Sequence, residues 1–183
     1  MFKSMKIAGS VILLLWAVYL LNFIIIFIDF RNFGIIPRQI YGLPGIIISP
    51  FLHVDINHLM SNTLPLAVLL TLVLAFYEKS AVKVIWIIII LGGLLVWIFA
   101  RPANHIGASG VIYGLAAFLF AAGIFKRDLR SIIIASAIFF LYSGLVFGLI
   151  PVDSRTSWEG HLFGAAAGVI SAYAFRKVDE KPA

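Results

Sequence analysis

Uninterrupted apolar runs of about 20 residues recur along the chain, and their length constrains its fold more than any other feature. An α-helix rises about 1.5 Å per residue, so each run can cross roughly 30 Å of hydrocarbon. The runs lie at about residues 7–28, 56–77, 82–100, 109–125, 131–150 and 160–175. With 62% apolar and 12% charged residues among 183, the chain has too few polar groups for a water-soluble globule. The expected fold class is therefore all-α: a polytopic membrane protein with six transmembrane helices and short tails. No repeat or linker divides it, so residues 1–183 read as one domain. The first run is longer than a signal-peptide core and is followed by no small-residue cleavage site, so it is expected to be retained.

The net charge of +6 could point to nucleic acid, but the cations occur in short clusters between the apolar runs. There they set topology, and no nucleic-acid partner is expected. Six crossings put both termini on one side. Lys3, Lys6, Lys79, Lys83, Lys126, Arg127, Arg130, Arg176, Lys177 and Lys181 then share that side, and Arg31, Arg38, Arg101 and Arg155 fall opposite. By the positive-inside rule the termini are cytoplasmic. The absence of cysteine excludes disulfides, thiol catalysis and Cys-ligated metal. The longest connection, Phe30 to about Asp55, mixes Gly and Pro with Ile35, Ile36 and Tyr41, and is expected to pack on the outer face or the bilayer interface.

Depths can be assigned by counting back from the cytoplasmic charges. Ser109 and His161 each begin about 15 residues of helix, roughly 22 Å, before the next basic residue. Asn62 lies at nearly the same depth, with His58 one turn higher on the same face. A run that starts at Ser109 is too short to cross alone, so residues 101–108 must dip into the membrane to reach it. Irregular backbone at that depth requires burial in protein or contact with water, which predicts a water-accessible cavity open to the outside. Embedded His and Asn are costly there, which makes the layer a candidate site.

Gly107-Ala108-Ser109-Gly110 offers a hydroxyl flanked by residues without bulk, although alone it reads first as helix packing. His161 changes that reading. Its helix carries Gly160, Gly164 and Gly168, facing a stripe of Gly110 and Gly114, so close approach could bring imidazole to hydroxyl. A neutral His161 could act as general base toward Ser109. The Ser109 N–H, the Asn62 amide and the His58 ring could stabilise an oxyanion, and Tyr113, one turn after Ser109, could stack under the imidazole. Glu159 and Asp153 read as solvated loop charges, leaving a Ser/His dyad without a carboxylate. His53 and His58 are five residues apart, on different faces of a continuous helix, and no H-E-x-x-H pattern occurs, so no metal is expected. His105 is assigned no role.

These motifs, His53-x4-His58-x3-Asn62, Gly107-Ala108-Ser109-Gly110 with Tyr113, and Gly160-His161-x2-Gly164-x3-Gly168, resemble those of the rhomboid intramembrane serine proteases of minimal six-helix bacterial type. The resemblance covers about residues 7–175. It implies Ser109 as nucleophile, His161 as base, His58, Asn62 and the Ser109 amide as the oxyanion site, Gly107 as the residue leaving room there, and Tyr113 as support. It also implies transmembrane protein substrates within the lipid bilayer and entry near the second and fifth helices under a cap at 151–158; no cofactor is expected, and the charge bias places the chain in a plasma membrane, here a bacterial inner membrane, with the site opening outward. One departure is the family's Trp-Arg pair in the first loop: Arg31 has no neighbouring Trp. A catalytically silent binder of membrane helices built on this fold, and a small transporter, are the competing readings. The transporter lacks support from any repeat between halves.

Overall fold

In lipid no water is available to backbone groups, so each apolar run must satisfy its own N–H and C=O groups as a helix, even where β-branched residues dominate. The run Ile87–Ile90 is four consecutive isoleucines and lies inside a helix nonetheless. A computed structural model of the protein describes residues 1–25, 27–151 and 157–178. Its helices are α1 (Phe2–Ile24), the single turn α2 (Gly45–Ile48), α3 (Ile56–Phe76), α4 (Ala81–Phe99), α5 (Ser109–Lys126), α6 (Leu129–Tyr142) and α7 (Trp158–Ala174). A 3₁₀ stretch, Ser143–Leu149, continues α6. Among the described residues β-structure is limited to one bridge, Ile35 with His105.

Among the described residues five helices are long and apolar enough to cross a membrane: α1, α3, α4, α5, and α6 with its 3₁₀ extension. A further helix, α7, has 17 residues and is about 25 Å long. One face packs against α4, α5 and the 3₁₀ stretch, while Leu162, Val169, Ile170 and Tyr173 on the other are exposed. Three boundaries differ from the sequence reading for local reasons. Helix α1 begins at Phe2 and ends at Ile24, although Phe27 and Ile28 are as apolar as the run before them; the Asn22 side chain accepts the Phe30 N–H at 2.7 Å and helps turn the chain. Helix α6 begins at Leu129 because Asp128 caps it, accepting the Ser131 N–H at 3.0 Å. Helix α7 begins at Trp158, capped by Ser157, which accepts the Gly160 N–H at 3.3 Å.

The most buried helix is α5, and its most extensive contact is with α7. Helix association in lipid relies on close packing, and here the glycine stripes supply it. A side chain at Gly164 would strike the Gly110 carbonyl, and one at Gly168 would strike the Gly114 carbonyl. Further along α5, Phe118 packs edge-on to Tyr77, whose hydroxyl lies 3.3 Å from Ser131 Oγ. Helix α1 joins α3 through the Trp16 indole N–H, which donates to Thr63 Oγ1 at 3.2 Å.

The Phe30–Asp55 connection is not a loose surface loop. Ile35 and Ile46 are buried with Val96 and Ala100 against the end of α4. The Arg38 guanidinium donates to the Ile98 and Ala100 carbonyls at 3.0 and 2.8 Å, and the Trp97 indole donates to the Gln39 carbonyl at 2.9 Å. A cation on the last carbonyls of a helix satisfies acceptors and complements the helix dipole. The Arg and the Trp that anchor this loop are thus Arg38 and Trp97, while Arg31 pairs locally with Asp29 at 2.8 Å.

Candidate active site

Ser109 is the first residue of α5, whose N-terminus no side chain caps. The first-turn N–H groups of a helix have no intrahelical acceptor, so they are available to an incoming oxygen. His161 lies in the first turn of α7, 7% exposed. The interlocked glycines draw the two helix starts together, and His161 Nε2 lies 2.9 Å from Ser109 Oγ.

The other ring nitrogen, Nδ1, lies 2.8 Å from the Gly148 carbonyl oxygen. A carbonyl can only accept, so Nδ1 carries the proton and Nε2 is the bare nitrogen. The Ser109 hydroxyl therefore donates to His161. In a Ser-His-Asp triad a carboxylate holds the imidazole in one tautomer; here a backbone carbonyl makes the corresponding contact with His161 Nδ1. Tyr113 lies flat against the imidazole, with ring centroids 4.0 Å apart and planes 3° apart. Gly148 lies against the edge of this stack: a Cβ there would collide with the Tyr113 hydroxyl and lie 3.2 Å from His161 Nδ1.

Gly107 has φ +114°, a conformation that disfavours any side chain, and its amide donates to the Ser49 carbonyl at 2.9 Å. A Cβ on Gly107 would lie 2.6 Å from His58 Cε1, 2.7 Å from His58 Nε2 and 3.8 Å from Asn62 Nδ2. His58 and Asn62 thus flank the turn that delivers Ser109. Asn62 is 5% exposed, and its Nδ2 makes no hydrogen bond among the described residues. A buried donor without an acceptor is costly, and an oxyanion is one partner that would satisfy it. A cavity of about 50 Å³ borders Ser109, Gly107, His105 and Ser157.

Two expectations are corrected by these positions. Glu159 is not a solvated loop charge: it is 4% exposed, and its Oε1 lies 3.5 Å from Arg101 Nε. His53 and His58 do not point to different faces of one helix, because α3 starts only at Ile56; His53 precedes it, and the two rings meet edge to face with centroids 5.0 Å apart. His53 is 3% exposed, and burial, with His58 adding, pushes its imidazole down to about 4. Asp153, Arg155, Lys181 and the middle of the cap at 151–158 lie outside the described residues.

A family model described as the rhomboid domain matches residues 37–178. The chain belongs to the rhomboid family. With its long apolar helices, this rhomboid is an integral membrane protein. Uncharacterized proteins of Mycobacterium bovis and Mycobacterium tuberculosis are each 41% identical to it over 160 residues, 81% of this chain and 65% of theirs. An uncharacterized protein of Mycobacterium leprae is 37% identical over 146 residues, 75% of this chain and 58% of its own length. The match thus takes in less than two thirds of these relatives.

Sequence reasoning missed Gly148, Arg38 and the Arg101–Glu159 pair of this rhomboid. Gly148 acts through its carbonyl, which every residue possesses, so nothing in the sequence marks it. Glu159 could have been suspected from its place two residues before His161, inside a first turn that must be buried if His161 is.

Proposed function

We propose that this rhomboid is an intramembrane serine endopeptidase that hydrolyses peptide bonds in or beside transmembrane segments of other membrane proteins. The observation that carries the reading is the 2.9 Å approach of Ser109 Oγ to a His161 whose tautomer is set by the Gly148 carbonyl. In this mechanism Ser109 Oγ attacks the scissile carbonyl carbon while His161 Nε2 takes the hydroxyl proton. The resulting oxyanion receives hydrogen bonds from the Ser109 N–H, the Asn62 amide and the His58 ring, and Gly107 leaves it space. The imidazolium then protonates the leaving amine, and water repeats the sequence to free the acyl group from Ser109. Tyr113 limits rotation of the imidazole throughout. No cofactor takes part.

Six apolar runs support six crossings of a bacterial inner membrane, and the charge bias supports cytoplasmic termini and a cavity that opens outward. The short α7, packed on α4 and α5 with an apolar outer face of Leu162, Val169, Ile170 and Tyr173, supplies the sixth crossing. Ser109→Ala in the purified, reconstituted chain is expected to abolish cleavage of a single-span reporter and labelling by a fluorophosphonate. Undiminished cleavage by that variant would overturn the reading, and a wild-type chain that neither cleaves nor labels would favour the silent binder.

A further inference from the structure

Four polar side chains that the proteolytic mechanism does not use close a circuit between the loop that delivers Ser109 and the helix that carries His161. His105 Nε2 lies 3.1 Å from the Arg101 carbonyl, and Nδ1 lies 2.7 Å from Ser157 Oγ. Because the carbonyl only accepts, Nε2 carries the proton, Nδ1 accepts, and the Ser157 hydroxyl donates to it. A lone pair on Ser157 Oγ remains for the Gly160 N–H at 3.3 Å. From the other direction, Glu159 Oε1 accepts from the Arg101 backbone N–H at 3.4 Å and lies 3.5 Å from its guanidinium Nε. Arg101 is therefore gripped twice by the start of α7, at its carbonyl through His105 and Ser157, and at its amide and side chain by Glu159.

Two of its members are buried, Arg101 and Ser157 are partly so, and the circuit is pinned from a third side. His105 and Glu159 are each 4% exposed. The His105 backbone exchanges two hydrogen bonds of 3.0 Å with Ile35 in the first loop. Ser109 follows His105 by four residues, and His161 follows Glu159 by two. The glycine stripes decide how near α5 and α7 come, but they offer little side-chain relief against a small slide along the axis. A polar clamp at the helix starts supplies that restraint. Misplacing reacting groups by about 1 Å costs on the order of a hundredfold in rate, so a restraint of this kind bears on catalysis directly.

We infer that Arg101, His105, Ser157 and Glu159 are positioning residues, which fix the start of α7 against the 101–108 loop and so hold His161 Nε2 at hydrogen-bonding distance from Ser109. The inference rests on the proteolytic reading for its effect on rate but not for its effect on His161, and two readouts separate them. In the 183-residue chain, purified in detergent with ¹⁵N-labelled histidine, the His161 ring signals are assigned by their loss in His161→Gln. Ser157→Ala and His105→Ala are expected to move those signals away from the pure Nδ1–H tautomer. They are also expected to slow fluorophosphonate labelling about tenfold to a hundredfold, with Tm changed by only a few degrees and KM for a helix reporter unchanged. His105→Asn, whose Oδ1 can accept where Nδ1 did, recovers part of the rate, and Glu159→Gln is milder than Glu159→Ala. Unchanged His161 signals and labelling in His105→Ala would overturn the inference, as would a rate loss that only tracks the unfolded fraction. Shifted His161 signals in a chain whose wild type never labels would sustain the positioning role and sink the proteolytic reading instead.

Discussion

At Gly107 two constraints meet in one residue: a positive φ and a histidine ring where a Cβ would have to go. Gly107→Ala is therefore expected to displace His58 as well as strain the turn, and to reduce reporter cleavage about a hundredfold or more, the scale of losing an oxyanion donor. Asn62→Ala should fall in the same range while leaving binding of the reporter nearly intact, read as kcat against KM. At Gly148 the obstacle is the Tyr113 hydroxyl, so Gly148→Ala should depress activity and Tyr113→Phe in the same chain should restore part of it. His53 gives a pH signature of a different kind. Its imidazole takes a proton near 6.5 in the unfolded chain and only at about 4 when folded, so between those values the unfolded state binds the extra proton. The His53 contribution is fully present above pH 6.5 and is lost as pH falls toward 4. Tm measured across that window should decline less steeply in His53→Phe, which keeps the aromatic contact with His58 and cannot titrate.

Elements carry the next layer, where most of the restraint lies between helices. The contact of α5 with α7 depends on backbone meeting backbone at Gly164 and Gly168. Gly164→Val would wedge the pair apart, at a cost of about 1 to 3 kcal/mol for an overpacked interface. It should lower both Tm and fluorophosphonate labelling, because the same displacement separates His161 from Ser109. Arg38→Ala leaves the last carbonyls of α4 without their cation and frees the first loop; it should lower Tm by an amount that corresponds to about 1 kcal/mol, with a smaller change in labelling. The helix interiors were legible because periodicity matters little to a chain that must be helical in lipid. Their ends were not. At Asn22, Asp128 and Ser157 a single side-chain hydrogen bond decides where a helix turns, starts or is capped, and nothing in the apolar run itself announces it.

For the whole molecule, the charge distribution is the feature with the widest consequence. A chain without cysteine permits single-cysteine mapping, and a Cys introduced at Arg127 is expected to react with an impermeant maleimide only from the cytoplasmic side, one at Arg31 only from the opposite side. Labelling of both from one side would overturn the six-crossing topology. The amino-acid order alone determined the all-helical membrane fold, because uninterrupted apolar length and backbone satisfaction leave no other solution, and it singled out Ser109, His161 and Asn62 as a candidate group through a common depth, with His58 a turn above Asn62 and Tyr113 a turn below Ser109. Only the tertiary structure decided what surrounds them. The Gly148 carbonyl on His161, the buried Glu159 against Arg101, and Arg38 on the end of α4 join segments far apart in the chain through groups whose meaning is geometric. A carbonyl is present at every residue, and a charge reads as solvated until packing takes the water away.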